Sequence, residues 1–134
     1  MASFPEPEAE PTQILVVSDI AAARTWYADV LGAELYREYA GTSVVLRFNG
    51  AWLLLVTGGP PTADKPDVTF AAPTDRTVVG PANTIRVADC RGVHAELERR
   101  GAVFLTPPIE SEWEIRAFLR DPDGHLWEIS QVKS

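Results

Sequence analysis

The stretch VVSDIAAARTWYADVLGAEL, residues 16–35, contains a strand end, a capped helix and a glycine that ends the helix. Asp19 is predicted to be the helix N-cap, because its carboxylate can accept the unpaired N–H groups of the first turn. Apolar residues recur at helical spacing over 20–31, and Gly32 stands where a left-handed residue ends a helix. The pattern predicts a strand over 14–17 followed by an amphipathic helix over 20–31.

Three further strands are predicted in the first half of the chain, over 34–39, 43–48 and 51–57. Asn49-Gly50 lies between two apolar runs and is a strong hairpin signal. Residues 58–82 contain Gly58, Gly59 and five prolines. This composition predicts a long connector without regular structure.

The second half repeats the first. Asp89 follows Asp19 by 70 residues, and Gly101 follows Gly32 by 69. A second N-capped helix is predicted over 90–100, and the predicted strands cover 85–87, 102–106, 115–120 and 126–131. This repetition indicates an α+β fold of two tandem βαβββ modules.

Length and composition limit the alternatives. The 134 residues suit one domain over 12–132, with module one at 12–57, the connector at 58–82 and module two at 83–132. Residues 1–11 alternate proline and glutamate and predict a flexible acidic arm. A net charge of −7 argues against a nucleic-acid surface, and no apolar run is long enough for a membrane span. The single cysteine, Cys90, and the lack of a signal sequence favour the cytoplasm.

Two motifs carry a family resemblance. Residues 16–35, quoted above, and RAFLRDPDGHLWEISQ, residues 116–131, resemble the first-module signature and the closing hairpin of the vicinal oxygen chelate superfamily. That superfamily includes glyoxalase I, extradiol dioxygenases, fosfomycin-resistance enzymes and bleomycin-resistance proteins. The resemblance implies curved half-barrel sheets with helices on the convex side, a ligand site in the concavity, and a homodimer.

The resemblance also implies which positions of the chain would bind a metal. In metal-dependent relatives, four inward-facing His or Glu residues hold one divalent ion. The corresponding positions here are Thr12, Leu54, Ala82 or Asn83, and Glu128. Only Glu128 is a strong donor, and tight sites for divalent transition metals need three or four protein ligands. We therefore expect no metal and no other cofactor, as in the bleomycin-resistance-type binding proteins.

Strand alternation gives the residues that line the cleft. If Thr12 faces inward, every second residue on its strand and on the equivalent strands does so too. Trp113 belongs to a polar loop after Pro107-Pro108 that could form a lid. Arg86 would either pair with Glu128 or bind an anionic or carbonyl group of the ligand. The predicted ligand-binding residues are Thr12, Ile14, Val16, Trp52, Leu54, Val56, Arg86, Trp113, Arg116, Phe118, Glu128 and Ser130.

An apolar, aromatic-walled cleft with few polar groups suits a bulky organic ligand. The sequence therefore favours a metal-free protein that sequesters an aromatic natural product or antibiotic. An alternative is a lyase, isomerase or dioxygenase of the same superfamily, with Glu128 as the general base. A third is an accessory protein that binds an intermediate in natural-product biosynthesis.

Overall fold

The computed structural model describes residues 2–133 and consists of two similar modules. Module one contains β1 (Thr12–Val17), α1 (Ile20–Asp29), β2 (Glu34–Tyr39), β3 (Ser43–Phe48) and β4 (Ala51–Thr57). Module two contains β5 (Asn83–Arg86), α2 (Cys90–Arg99), β6 (Ile109–Glu110), β7 (Glu114–Arg120) and β8 (Leu126–Val132). Each module forms one mixed four-stranded sheet, in the orders β1-β4-β3-β2 and β5-β8-β7-β6. The predicted α+β duplication is confirmed.

Both helices begin at the predicted residues, whereas α1 ends at Asp29 and α2 at Arg99, slightly before the predicted ends at 31 and 100. The Asp19 carboxylate accepts a hydrogen bond from the Ala22 N–H at 3.0 Å, and the Asp89 carboxylate accepts one from the Gly92 N–H at 3.0 Å. Gly32 and Gly101 follow the helices with φ angles of +76° and +101°, a region that residues with a Cβ rarely occupy. The same signals therefore shape the two halves.

One face of each sheet packs against its helix and forms the core. In β1 and β4 the residues on this face are Leu15, Val17, Leu53 and Leu55, all buried. The opposite face of each sheet remains partly exposed and forms the concave side. Between the modules, residues 58–82 contain no helix or strand. Among residues 2–133, no helix is long and apolar enough to span a membrane.

The predicted strand over 102–106 is wrong. Only Phe104 forms a bridge there, to Leu119 of β7, and the short strand β6 comes later in the chain. Pro107 and Pro108 follow directly and have no N–H to donate, so they interrupt a sheet ladder. The chain instead bends and pairs with β7 again at Ile109.

A buried polar cluster joins the two modules. The Tyr27 hydroxyl on α1 donates to Asp121 Oδ2 at 2.6 Å and accepts from Trp127 Nε1 at 3.0 Å. Two further contacts reach from the β7–β8 turn to the end of β1. Asp123 Oδ1 accepts from the Ser18 N–H at 3.0 Å, and His125 Nε2 donates to the Val16 carbonyl at 2.8 Å. The Asp-Pro-Asp-Gly turn therefore connects β7 to β8 and also holds module two against module one. We call this set of contacts between the modules the junction.

We expect Tyr27→Phe to lower the free energy of unfolding by about 2–3 kcal/mol, because it leaves the buried Asp121 Oδ2 and the Trp127 N–H without a partner. Tyr36→Phe is the matched control: Tyr36 is exposed on β2, so its change should stay within about 0.5 kcal/mol. Urea unfolding followed by near-UV circular dichroism measures both variants at one protein concentration. Equal stabilities for the two variants would contradict the proposed junction.

Candidate functional site

The concave face of module one has the predicted register. Thr12, Ile14 and Val16 lie on the partly exposed side of β1. In the parallel pairing of β1 with β4 they stand opposite Trp52, Leu54 and Val56. The structure therefore brings these six predicted residues together on one largely apolar surface.

Trp52 is the centre of a polar and aromatic cluster on this face. The Arg47 guanidinium lies over the Trp52 ring, 4.2 Å from its centroid, and the Tyr36 ring meets it edge-on at 4.9 Å. Glu10 Oε1 accepts a hydrogen bond from Trp52 Nε1 at 3.1 Å and lies 3.6 Å from Arg47 Nη1. The Trp52 hydrogen bond, followed by the Arg47 charge, lowers the pKa of Glu10.

Glu10, Tyr36 and Arg47 are not among the residues predicted for the site. Alternation along β3 contained a signal for Arg47, because Phe48-Asn49-Gly50-Ala51 forms the hairpin and places Arg47 opposite Trp52. No such signal exists for Glu10, since residues 2–11 form neither helix nor strand. Residue 1, which belongs to the predicted arm, lies outside the described residues.

A cavity of about 450 Å³ opens between the first strands of the two modules. This volume is in the range of sites that hold small organic molecules. Phe48 and Trp52 supply aromatic surface from module one. The cavity is lined by Pro11, Thr12, Gln13, Phe48, Asn49, Gly50, Ala51, Trp52, Leu53, Asn83, Thr84, Ile85, Arg86 and Trp127. Trp113 lies outside it and is 73% exposed, so the structure does not bring Trp113 together with Trp52.

The expected pair between Arg86 and Glu128 is replaced by another arrangement. Arg86 Nη1 donates to Ser130 Oγ at 2.7 Å, and the Ser130 hydroxyl donates to Glu114 Oε2 at 2.6 Å. Glu114 starts β7 one residue earlier than the predicted strand, which is why it was missed. The Ser130 hydrogen bond and the charges of Arg116 and Arg86 lower the pKa of Glu114.

Glu128 lies beside Thr84 and Arg116. The Thr84 hydroxyl donates to Glu128 Oε1 at 2.6 Å, and Arg116 Nη1 lies 3.9 Å from Glu128 Oε2. The Arg116 guanidinium therefore places a positive charge near the Glu128 carboxylate. Within 2–133, no three His, Cys, Asp or Glu side chains form a group that could hold a metal. The donor set does not fit a divalent ion.

A second cavity, also of about 450 Å³, lies on the concave face of module two. Three arginines, Arg76, Arg116 and Arg120, line it together with Phe118 and Leu126. Arg120 Nη1 is buried there without a hydrogen-bond partner. The predicted residues Arg116 and Phe118 therefore share a cationic and partly apolar surface.

Two other side chains that could take part in catalysis, Cys90 and His94, are packed within the fold. Cys90 is fully buried at the start of α2, and burial raises the pKa of its thiol, so the nucleophilic thiolate is disfavoured. His94 stacks at 4.2 Å against Phe104 on the helix side of the sheet. Neither group faces the cavities.

Comparison with known proteins gives a family and a set of similar folds. The family model described as "Glyoxalase/Bleomycin resistance protein/Dioxygenase superfamily" matches residues 10–129. No curated protein sequence is significantly similar to the chain.

Three solved structures illustrate the shared fold. TioX from Micromonospora sp. ML1 is 20% identical, with 92% of this chain and 98% of that chain covered and a TM-score of 0.70. TnmS3, an antibiotic binding protein from Streptomyces sp. CB03234, is 22% identical, with 94% and 97% covered and a TM-score of 0.69. Lactoylglutathione lyase from Agrobacterium tumefaciens is 21% identical, with 93% and 94% covered and a TM-score of 0.65.

We expect the chain to retain well below one divalent metal ion per molecule after incubation with zinc, nickel, iron(II) or manganese and desalting, because Thr12, Leu54 and Ala82 or Asn83 offer no carboxylate or imidazole beside Glu128. Elemental analysis measures the retained metal. Glu128→Gln is the control and should retain the same trace amount. Stoichiometric metal that is lost in Glu128→Gln would show that the donor set had been misjudged.

Proposed function

Since the chain belongs to the glyoxalase/bleomycin resistance protein/dioxygenase superfamily, we propose that it is a metal-free binding protein. It sequesters a bulky aromatic natural product or antibiotic in the cavity between its modules and leaves the molecule chemically unchanged. Its single thiol, buried and unpaired, suits the reducing cytoplasm, where we place the protein.

The Trp52 cavity carries this proposal. Its volume of about 450 Å³ suits a small organic molecule, and it is lined by Phe48 and Trp52 together with a few polar groups such as Thr84 and Arg86. Flat aromatic rings stack well on tryptophan, while one or two hydrogen bonds fix their orientation. The solved structure of TnmS3, described as an antibiotic binding protein, has the same fold. That likeness supports the proposal without naming a ligand for this chain.

The competing function is an enzyme of the lyase, isomerase or dioxygenase type. Glu128 favours it, because its carboxylate lies on the concave face of β8 and is fixed by the Thr84 hydroxyl. The lactoylglutathione lyase among the similar folds shows that this architecture can also host catalysis. A general base must accept a proton, whereas a binding residue need not, and this difference separates the two functions.

We expect Trp52→Ala to weaken binding of anthracene-2-carboxamide, a flat neutral probe, by about 1–3 kcal/mol, the range for losing a buried aromatic anchor. Trp52→Phe is the matched control and should retain most of the affinity. We propose that the loop carrying Trp113, which lies outside the cavity in the structure, closes over the bound probe, so Trp113→Ala should also weaken binding in the same assay. Calorimetric titration gives the dissociation constants.

Glu128→Gln should change the affinity for the same probe only slightly, because sequestration moves no proton. Mass spectrometry of the recovered probe should show an unaltered molecule after long incubation with the wild-type protein. Binding that does not depend on Trp52 would contradict the proposed site. A product that forms with wild type and not with Glu128→Gln would make the chain an enzyme.

We also propose a homodimer. Ile14 and Tyr36 expose apolar surface on the concave side of module one, where Leu54 and Val56 are only half-buried. Contiguous apolar patches of this kind mark interaction surfaces on soluble proteins. A second copy of the chain would cover this face and close the cleft, as in the arrangement that the family resemblance implies.

Light scattering at micromolar concentration should therefore give twice the chain mass of 14.7 kDa. Ile14→Lys places a charge on the proposed interface and should shift the mass to that of the monomer. Val68→Lys makes the same exchange at an exposed connector position and should leave the dimer intact. A monomeric wild-type protein would refute the dimer.

A further inference from the structure

The Glu10 carboxylate contacts Trp52, a residue that lines the cavity. It accepts from the Trp52 indole N–H at 3.1 Å and lies 3.6 Å from Arg47 Nη1. The next residue, Pro11, lines the same cavity. The segment before β1 thus brings an acidic group of the protein itself to the edge of the proposed ligand site.

The two groups that hold this carboxylate are selective for anions. An indole N–H and a guanidinium can only donate hydrogen bonds, so their natural partner is an acceptor, and a negatively charged one binds most strongly. Arg47 is fixed over the Trp52 ring at 4.2 Å, which aims both donors toward one place.

Glu10 leaves one hydrogen-bond donor of this site, Arg47 Nη1, without an acceptor. Arg47 Nη1 is buried, and at 3.6 Å the Glu10 oxygen forms an ion pair with it but no hydrogen bond. Among residues 2–133, Glu10 is the carboxylate within ion-pair distance of Arg47. A buried donor without a hydrogen bond is unfavourable, so a better-placed acceptor would be preferred.

Glu10 is also easily displaced. Its side chain is half exposed, and it belongs to residues 2–11, which form no helix or strand and are exposed throughout. Exposed ion pairs contribute little to stability. The contact can therefore open without disturbing the sheet.

We propose that the Trp52–Arg47 pair is the subsite for an anionic group, such as a carboxylate, on the aromatic ligand, and that Glu10 fills this subsite in its place until the ligand binds. The inference rests on the proposed binding function. It makes the preferred ligand an aromatic acid and makes the N-terminal segment an internal competitor.

Calorimetry with anthracene-2-carboxylate and anthracene-2-carboxamide tests the charge preference. Wild type should prefer the carboxylate. Glu10→Gln should tighten carboxylate binding by about two- to five-fold, the range for releasing an exposed ion pair. Arg47→Gln should weaken carboxylate binding by about ten-fold or more while changing amide binding little. Glu8→Gln, a matched change in the same segment, should alter neither.

The outcomes separate the inference from the proposed function. Amide binding that depends on Trp52, without any carboxylate preference, leaves the proposed function standing and overturns the inference. Equal losses for both probes in Arg47→Gln, or weaker carboxylate binding in Glu10→Gln, also overturn it, because the residues would then be parts of the cavity wall.

A second measurement does not depend on a large ligand filling the cavity. The Trp52 indole N–H resonance, assigned with Trp52→Phe, is followed by ¹⁵N NMR during titration with sodium benzoate or benzamide up to roughly 100 mM at constant ionic strength. Benzoate should give a saturable shift at lower concentration in Glu10→Gln than in wild type, and none in Arg47→Gln. No saturable shift in Glu10→Gln, or the same shift with benzamide, overturns the inference even if neither anthracene probe binds.

Discussion

The buried hydrogen bond from Tyr27 to Asp121 sets the position of one module against the other. Asp121 Oδ2 accepts from the Tyr27 hydroxyl, and Oδ1 accepts from the N–H groups of Asp123 and His125.

Burial raises the pKa of Asp121, and its hydrogen bonds oppose that shift. Because the folded pKa lies above the unfolded one, the stabilising contribution of this group is complete below the unfolded pKa and is lost as pH rises through the folded pKa. The hydrogen bonds reduce the cost of burying this carboxyl group while they fix the geometry of the turn.

This junction determines the shape of the candidate site. Trp127 donates to Tyr27 on the core side of β8 and packs edge-on near Phe48 at the end of β3. The first strands of the two sheets are thereby held on opposite sides of one cavity, with Trp52 from module one and Arg86 from module two on its wall. A change in the Asp-Pro-Asp-Gly turn would alter the distance between these walls without touching a lining residue.

The local parts of this arrangement could be predicted from the sequence. Asp19 and Asp89 are recognisable as N-caps, because capping depends on a few neighbouring residues, and alternation along β1 and β4 gave the register of Trp52 and Leu54. The contacts that define the site depend on tertiary geometry instead. The pairing of Arg86 with Ser130 and Glu114, and the approach of Glu10 to Trp52, join residues far apart in the chain, and no local pattern determines them.

The distribution of charge gives a physical reason to expect an aromatic ligand with a negative group. The chain has a net charge of −7 and only twelve basic side chains. Yet Arg47 and Arg86 lie beside the first cavity, and Arg116 and Arg120 line the second. Cations gathered in clefts with low-dielectric walls focus a positive potential there, while the acidic exterior repels anions elsewhere. Such a field favours an aromatic molecule with a negative end, oriented with its rings on Trp52, and disfavours a neutral one that offers the arginines no acceptor.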